Sequence, residues 1–191
     1  MKLEIALPIA DRVREILSPF CDRCEIAGSV RRKRPEVGDI EIVCIPKKEI
    51  VAAGDQGNFF GDDMVERPVH GFVGAVNAWQ RVKGDPATGR YTQRILPEWG
   101  QGFTLDLFIV RPENWGNLFA VRTGSADYSR YVLAGGWVRA GYSSQDGMLT
   151  KFGVALECRE EKDLFALIGI PFCEPEKREM PASHAASGPD K

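Results

Sequence analysis

The segment Asp39-Ile40-Glu41-Ile42 constrains the fold more strongly than any other part of the sequence. In a β-strand successive side chains point to opposite faces, so this order puts Asp39 and Glu41 on one face and both isoleucines on the other. The isoleucine face belongs in a core, whereas the carboxylate face carries two like charges that favour a nearby cation. The segment therefore predicts a strand that borders a polar, cation-binding surface.

A second candidate strand, over residues 102–110, supplies a third carboxylate. Asp106 lies there between Leu105 and Leu107, in a run of alternating apolar residues. Neighbouring strands bring facing side chains within about 5 Å of each other. Asp39, Glu41 and Asp106 on adjacent strands can therefore hold two Mg²⁺ ions about 3.5–4 Å apart, an arrangement that stabilises the attacking and leaving oxygens in phosphoryl transfer.

The residues before this strand suit a phosphate group. Gly28-Ser29 at the end of a preceding strand can offer backbone N–H groups and a hydroxyl to phosphate oxygens, and Arg32 can clamp the same oxygens by charge. Each feature alone has a simpler explanation, since acidic residues at strand ends are often only solvated and Gly-Ser before basic residues is a common turn. Their occurrence in this order favours a functional site.

Composition limits the class of protein. A chain of 191 residues, 43% of them hydrophobic, suffices for one core and at most two small domains. No apolar stretch approaches the roughly 18 residues of a membrane span, and no signal peptide precedes the first helical pattern, so a cytoplasmic location without membrane partners is expected. Five cysteines, an odd number, argue against a secreted disulfide framework. Cys21 and Cys24 have the spacing of half a zinc site, but no second pair or nearby histidine completes it.

The net charge of −2 excludes a strongly basic nucleic-acid-binding protein. Basic residues are nevertheless concentrated locally, in the run 31–34 and in a second stretch over 81–94. A basic groove on a nearly neutral protein is compatible with this distribution. Arg31 to Arg34 can equally form a solvated turn, with Arg32 as the exception because of its position after Gly28-Ser29.

The spacing of apolar and turn residues predicts that the chain changes to mostly helical structure after residues 111–112, with a linker near 111–114. The predicted elements before it are a helix over 8–20 started by Pro8, strands at 24–27, 39–45, 90–96 and 102–110, a loop over 46–68 and a helix over 70–79. Those after it are helices at 115–121, 125–137 and 160–168 and a small hairpin within 142–158. The predicted divisions are domains at 1–111 and 112–179 and a disordered tail at 180–191.

Four motifs in this order resemble the family X DNA polymerases, the DNA polymerase beta group of the nucleotidyltransferases. They are Gly28-Ser29-Val30-Arg31-Arg32 followed by Gly38-Asp39-Ile40-Glu41; Leu105-Asp106-Leu107; Thr123-Gly124-Ser125; and Glu161-Lys162-Asp163-Leu164-Phe165 before Ile170-Pro171 and Pro175. The resemblance covers most of the chain, and four ordered motifs are far more specific than a single Gly-Ser match.

The resemblance implies an α+β fold, with a nucleotidyltransferase palm over 1–111, whose mixed or antiparallel sheet has helices on one side, and a helical-plus-hairpin thumb over 112–179. It implies that Asp39, Glu41 and Asp106 bind two Mg²⁺ ions, with Mn²⁺ as an alternative, and that Asp106 lies nearest the primer 3′-hydroxyl. The implied nucleotide-binding residues are Gly28, Ser29, Arg32, Gly38, Gly124 and Ser125.

The implied activity is template-directed addition of deoxynucleotides to a primer in gapped DNA, with DNA and dNTP as partners and a monomeric enzyme. The chain starts too close to the palm to include the lyase domain that family members often carry, so lyase activity is not expected. Two alternatives remain open: transfer to another acceptor, such as an untemplated DNA end, a tRNA or a protein, and an inactive nucleic-acid-binding module.

Three features, which involve four residues, depart from the family pattern. Glu41 stands where an aspartate is usual, Thr104 where an arginine is common, and Val121-Arg122 replace the usual aromatic pair before Thr-Gly-Ser. The departures raise questions about efficiency, metal preference and sugar selectivity, and leave the predicted reaction class unchanged.

Overall fold

The computed structural model describes residues 1–52, 64–97 and 102–180. Of the predicted disordered tail 180–191, residues 181–191 lie outside the described residues, as does the middle of the predicted loop 46–68, and Met180 is partly buried. None of the helices in the described part of the chain combines the length and the apolar character that crossing a membrane requires.

The first part of the chain forms a twisted sheet with helices. Its helices are α1 (Leu3–Leu17), α2 (Gly28–Arg31) and α3 (His70–Asn77), and its strands are β1 (Cys21–Ile26), β2 (Ile40–Pro46), β3 (Lys48–Ala52), β4 (Met64–Pro68), β5 (Arg81–Gly84), β6 (Tyr91–Ile95) and β7 (Thr104–Ile109). The main sheet has the order β1-β2-β7-β6-β5. Strands β2 and β7 run parallel, whereas the other neighbours in this sheet are antiparallel. The sheet is therefore mixed, as predicted.

Each face of the sheet packs against different helices. Helices α1 and α3 cover the face that carries Ile40, Ile42 and the alternate residues of β7, which are fully buried. The opposite face is covered in part by α4 (Trp115–Thr123), through a smaller cluster that includes Val43, Phe108 and Trp115. The carboxylates of Glu41 and Asp106 lie on this second face.

The last part of the chain adds helices and a small sheet. After α4 come a π-helical segment (Tyr128–Ala134), α5 (Gly135–Arg139), the antiparallel strands β8 (Ser143–Gln145), β9 (Met148–Lys151) and β10 (Val154–Leu156), and α6 (Glu161–Leu167). Leu133, Leu149, Leu164 and Phe165 form the centre of its core. The predicted hairpin is thus a three-stranded meander, and the α+β class is confirmed.

Two predictions for the first hundred residues are wrong in part. Helix α1 begins at Leu3 and contains Pro8, because Ala6 extends the buried stripe of Ile9, Val13 and Leu17 toward the N-terminus. Burial of that stripe outweighs the one hydrogen bond that a proline removes. The segment 46–68, predicted as a loop, contains the antiparallel pair β3 and β4.

The pair β3 and β4 gave no apolar alternation in the sequence because most of its described side chains are exposed. Cross-strand ion pairs link Lys48 to Glu66 at 2.5 Å and Glu49 to Arg67 at 3.1 Å. Strand β5 was missed for the same reason, since all four of its residues are exposed at the sheet edge.

Candidate active site

The parallel register of β2 and β7 sets Glu41 directly opposite Asp106. Asp39 comes immediately before β2, two residues from Glu41 and on the same face. Ile40 and Leu105 point the other way into the core and are fully buried. The structure therefore brings the three predicted carboxylates to one region of the sheet, on the face that α4 leaves partly open.

Negative charge accumulates at this place. Burial, followed by repulsion from Asp39 and Asp106, raises the pKa of Glu41 to about 7. Burial and the charge of Asp106 also raise the pKa of Asp39. Arg122 and Arg32 act on Glu41 in the opposite direction but do not cancel these effects. The site consequently has an excess of carboxylate charge that a bound cation would neutralise.

Two side chains from the neighbouring strand hold Asp106. The hydroxyl of Tyr91 donates a hydrogen bond to Asp106 Oδ1 at 3.0 Å, and Nε2 of Gln93 donates to the same oxygen at 2.7 Å. Burial, followed by the charge of Asp106, raises the pKa of Tyr91 to about 12. Sequence reasoning missed both residues, although their two-residue spacing on a strand places them on one face.

The carboxylate of Glu41 packs against the backbone of Gly28. Gly28 has a φ of +61°, and a Cβ built on it would overlap the Glu41 carboxylate. Glycine is the residue that accepts this backbone conformation and this close approach together. Gly28 therefore supports the site by leaving room for Glu41.

A cavity of about 570 Å³ lies between the carboxylates and the start of the second part of the chain. Of the predicted site residues, its lining includes Ser29, Arg32, Asp39, Glu41, Gly124 and Ser125. Gly28, Gly38 and Asp106 are outside the lining: Gly28 sits behind Glu41, Gly38 is exposed before Asp39, and Asp106 is held against Tyr91 and Gln93. The cavity also contacts residues that the sequence did not single out as ligand-binding, namely Val121, Arg122, Ala126, Ser129, Arg130, Ala134 and Trp137.

Local hydrogen bonds fix the Thr123-Gly124-Ser125 element. The backbone N–H of Ser125 donates to the carbonyl of Arg178 at 3.0 Å, and the Ser125 hydroxyl accepts from the N–H of Tyr128 at 3.2 Å. The Ser129 hydroxyl donates to the Val121 carbonyl at 2.7 Å. These bonds hold the turn between α4 and the π-helical segment against the cavity.

Arg32 lines the cavity, but its guanidinium already donates hydrogen bonds to other residues of the chain. Its Nε donates to Glu179 at 2.8 Å and its Nη1 donates to the Thr123 carbonyl at 2.7 Å. Arg31, for which a solvated turn was one of two interpretations, makes a bidentate ion pair with Glu161 and a hydrogen bond to the Thr123 hydroxyl. Both arginines therefore connect α2 and the residue after it, beside the proposed site, to the second part of the chain.

The carboxylates suit Mg²⁺ in chemical type, since Mg²⁺ prefers oxygen ligands and carboxylates in particular. Among residues 1–52, 64–97 and 102–180, no three carboxylate, thiol or imidazole side chains converge closely enough to bind one ion. Burial is the main cause of the raised pKa values of Asp39 and Glu41, and the charges of the neighbouring carboxylates add to it. The fit to a divalent ion therefore rests on donor type and charge.

The DNA polymerase beta thumb family matches residues 119–179. This range lies within the predicted thumb segment 112–179, whose boundary stays a prediction. No curated protein matches the chain in sequence.

Two crystal structures of Leishmania infantum polymerase beta share the fold. The ternary P/T complex aligns with a TM-score of 0.66 and 17% identity, covering 93% of this chain and 76% of the other. The ternary gap complex aligns with a TM-score of 0.68 and 16% identity, covering 93% of this chain and 70% of the other. Identity this low establishes similarity of fold alone.

Proposed function

We propose that the chain is a template-directed DNA polymerase of the family X type, supported by the match of residues 119–179 to the DNA polymerase beta thumb family and by the fold that it shares with polymerase beta. In this reaction the primer 3′-oxygen attacks the α-phosphorus of a dNTP. A new phosphodiester bond forms, the bond to the β-phosphate oxygen breaks, and pyrophosphate leaves. The position of Glu41 opposite Asp106, beside a cavity lined by Gly124 and Ser125, is the observation that carries the proposal.

Asp39, Glu41 and Asp106 would bind two divalent ions, Mg²⁺ or alternatively Mn²⁺. When bound, such ions neutralise phosphate charge and favour ionisation of the primer hydroxyl. Tyr91 and Gln93 keep the Asp106 carboxylate oriented by their two hydrogen bonds. This fixed orientation would reduce the reorganisation that the reaction requires.

The nucleotide would enter the cavity of about 570 Å³. Ser29, Gly124 and Ser125 line it and would contact the triphosphate or sugar, with Gly28 and Gly38 supporting the strand ends on either side. Arg32 and the exposed Arg130 supply positive charge on the cavity wall. Electrostatic positioning of this kind is the main contribution a protein makes to phosphoryl transfer.

DNA is the proposed acceptor and template. The two similar crystal structures are described as ternary P/T and gap complexes. In this chain, Arg81 and Lys83 project from the exposed edge strand β5, where they can contact phosphates despite a net charge of −2. A role in repair, a monomeric state and a cytoplasmic location stay predictions from the sequence.

The decisive experiment incubates the protein with labelled one-nucleotide-gapped DNA, all four dNTPs and either Mg²⁺ or Mn²⁺. Templated extension supports the proposal, untemplated addition indicates another acceptor, and binding without extension indicates an inactive module. Asp39→Asn and Asp106→Asn should each lower the rate about 10²–10³-fold or more, because they remove charge stabilisation at the reacting phosphate. Asp22→Asn, at an exposed site on β1, is the matched control. Near-normal extension by either active-site variant would contradict the assignment.

A further inference from the structure

A second cavity, of about 490 Å³, lies on the other side of Arg122 from the proposed active site. It is bounded by β6, by β7 and the residues after it, by α4, and by the turn between β8 and β9. Arg122 lines both cavities. The volume falls within the range of about 300–1,000 Å³ that is typical of small-molecule sites.

One wall of this second cavity is aromatic and apolar. The rings of Tyr91 and Phe108 stack with centroids 5.1 Å apart and an interplanar angle of 26°. The guanidinium carbon of Arg122 lies 4.1 Å from the centroid of Phe108, which extends the stack by one planar group. Val110 and Leu118 complete the apolar surface. A flat aromatic ligand can continue such a stack, because guanidinium planes and aromatic rings both accept stacking partners.

The rim of the cavity carries an excess of positive charge. Arg90, Arg111 and Arg122 line it together with a single carboxylate, that of Asp146. Arg90 pairs with Asp146 at 2.6 Å. Arg111 and Arg122 form no ion pair with any residue in the described ranges, and both are exposed. The Arg111 guanidinium is therefore available to an anion, whereas the Arg122 guanidinium stacks on Phe108 and its charge also acts on Glu41. Arginine binds phosphate oxygens with particularly suitable geometry.

We propose that the second cavity binds a nucleoside monophosphate unit, with its base against the Arg122–Phe108–Tyr91 stack and its phosphate at Arg111. The unit can be a free mononucleotide or an unpaired nucleotide of a bound strand, since both present the same base and phosphate. The site is separate from the cavity assigned to the dNTP, so the proposal does not depend on polymerase activity. Tyr91 also donates a hydrogen bond to Asp106, which links the second cavity to a proposed catalytic carboxylate.

The first measurement is calorimetric titration of the full chain with dAMP in EDTA and without DNA. Under these conditions the uncompensated carboxylates disfavour an anion in the first cavity. 2′-Deoxyadenosine lacks the phosphate and deoxyribose 5-phosphate lacks the base, so each should bind at least tenfold more weakly than dAMP. Leu118→Trp, which fills the cavity, and Arg111→Ala, which removes the exposed cation, should each weaken dAMP binding at least tenfold. Val138→Trp, on the exposed face of α5 outside both cavities, should leave it unchanged.

The second measurement tests a nucleotide within a strand. A gapped duplex with one unpaired 2-aminopurine in the template should lose fluorescence when the base stacks in the cavity, and Leu118→Trp and Arg111→Ala should restore that fluorescence. An effect of both variants on dAMP identifies a free nucleotide as a ligand, and an effect on the duplex identifies a strand nucleotide. If neither variant changes dAMP binding or 2-aminopurine fluorescence, the proposal is wrong. Arg111→Ala keeps the test valid if Leu118→Trp does not fold.

Discussion

Arg31 and Glu161 form a bidentate ion pair that connects the short helix α2 to the first turn of α6. Arg31 Nη1 donates to Glu161 Oε1 at 2.8 Å and Nη2 donates to Oε2 at 2.6 Å. Arg178, fully buried, pairs with the same carboxylate, and the guanidinium carbon of Arg31 lies 3.8 Å from the Phe119 ring centroid. Glu161 is thus the shared anion of two arginines at the junction between the two parts of the chain.

Removing the charge of Glu161 should lower the free energy of unfolding. Glu161→Gln leaves the buried Arg178 without its charge partner, and breaking a buried pair from one side costs about 3–5 kcal/mol. Urea unfolding at pH 7 measures the change in the free energy of unfolding. Glu176→Gln, which breaks the exposed pair between Lys33 and Glu176, is the control and should change stability little. Equal effects of the two substitutions would show that the Glu161 cluster contributes no more than a surface pair.

The same carboxylate should make stability depend on pH. Burial alone would raise the pKa of Glu161, but hydrogen bonds from Arg31 and Arg178 outweigh it and hold the pKa below its usual value. A depressed pKa in the folded state contributes stability above the unfolded pKa of about 4.3, and that contribution is lost as the pH falls through the folded value. The difference in unfolding free energy between the native chain and Glu161→Gln should therefore be largest near neutral pH and shrink below about pH 4. A difference that stays constant down to pH 3 would contradict this linkage.

The carboxylate strands could be predicted because their signal is local. Alternation over Asp39-Ile40-Glu41-Ile42 and around Asp106 indicates which side chains share a face, and burial of both isoleucines confirms the assignment. Glu41 and Asp106 are far apart in sequence, yet two strands with the same alternation have few ways to pair within one small core. The resemblance to a known family further limited the ways in which these two strands could pair.

The role of Arg31 could not be predicted from its surroundings. The run 31–34 has the composition of a solvated turn, and Lys33 and Arg34 are indeed exposed. Arg31 differs because its partner, Glu161, is 130 residues away and belongs to the second part of the chain. Local periodicity contains no information about such a pair. The same limit explains why the partners of Arg32, Thr123 and Glu179, were missed.

The contact between Gly28 and Glu41 leads to a prediction about the length of the side chain at position 41. Gly28→Ala should lower the extension rate at least tenfold, because the added Cβ displaces the Glu41 carboxylate, and should destabilise the fold by about 1–2 kcal/mol through its positive φ. Glu41→Asp alone should keep or raise activity, since it restores the length usual in the resembled family. The double variant Gly28→Ala/Glu41→Asp should recover part of the extension rate that Gly28→Ala loses, because the shorter aspartate side chain withdraws from residue 28.

Single-turnover extension of gapped DNA measures these rates, and thermal unfolding separates them from loss of fold. Gly74→Ala is a matched control, since a Cβ on Gly74 in α3 meets no atom within 4 Å. If Glu41→Asp abolishes extension, β2 is built around the longer residue. If the double variant is no better than Gly28→Ala, displacement of the carboxylate is not the cause of the defect.

The last prediction concerns the sugar of the incoming nucleotide. Val121 lines the proposed active-site cavity close to Gly124 and Ser125, at a position where the resembled family carries an aromatic residue. Valine leaves more room there, and a steric pocket discriminates poorly against a substrate that only adds a hydroxyl. We expect weak selection against ribonucleotides, and Val121→Tyr should raise the ratio of dGTP to rGTP insertion efficiency opposite a template C about tenfold or more. Val121→Leu, which adds volume without a ring, should give a smaller increase.

Trp137 is an aromatic side chain that lines the same cavity. A strong deoxynucleotide preference that is lost in Trp137→Leu and unaffected by Val121→Tyr would therefore assign the selection to Trp137 instead.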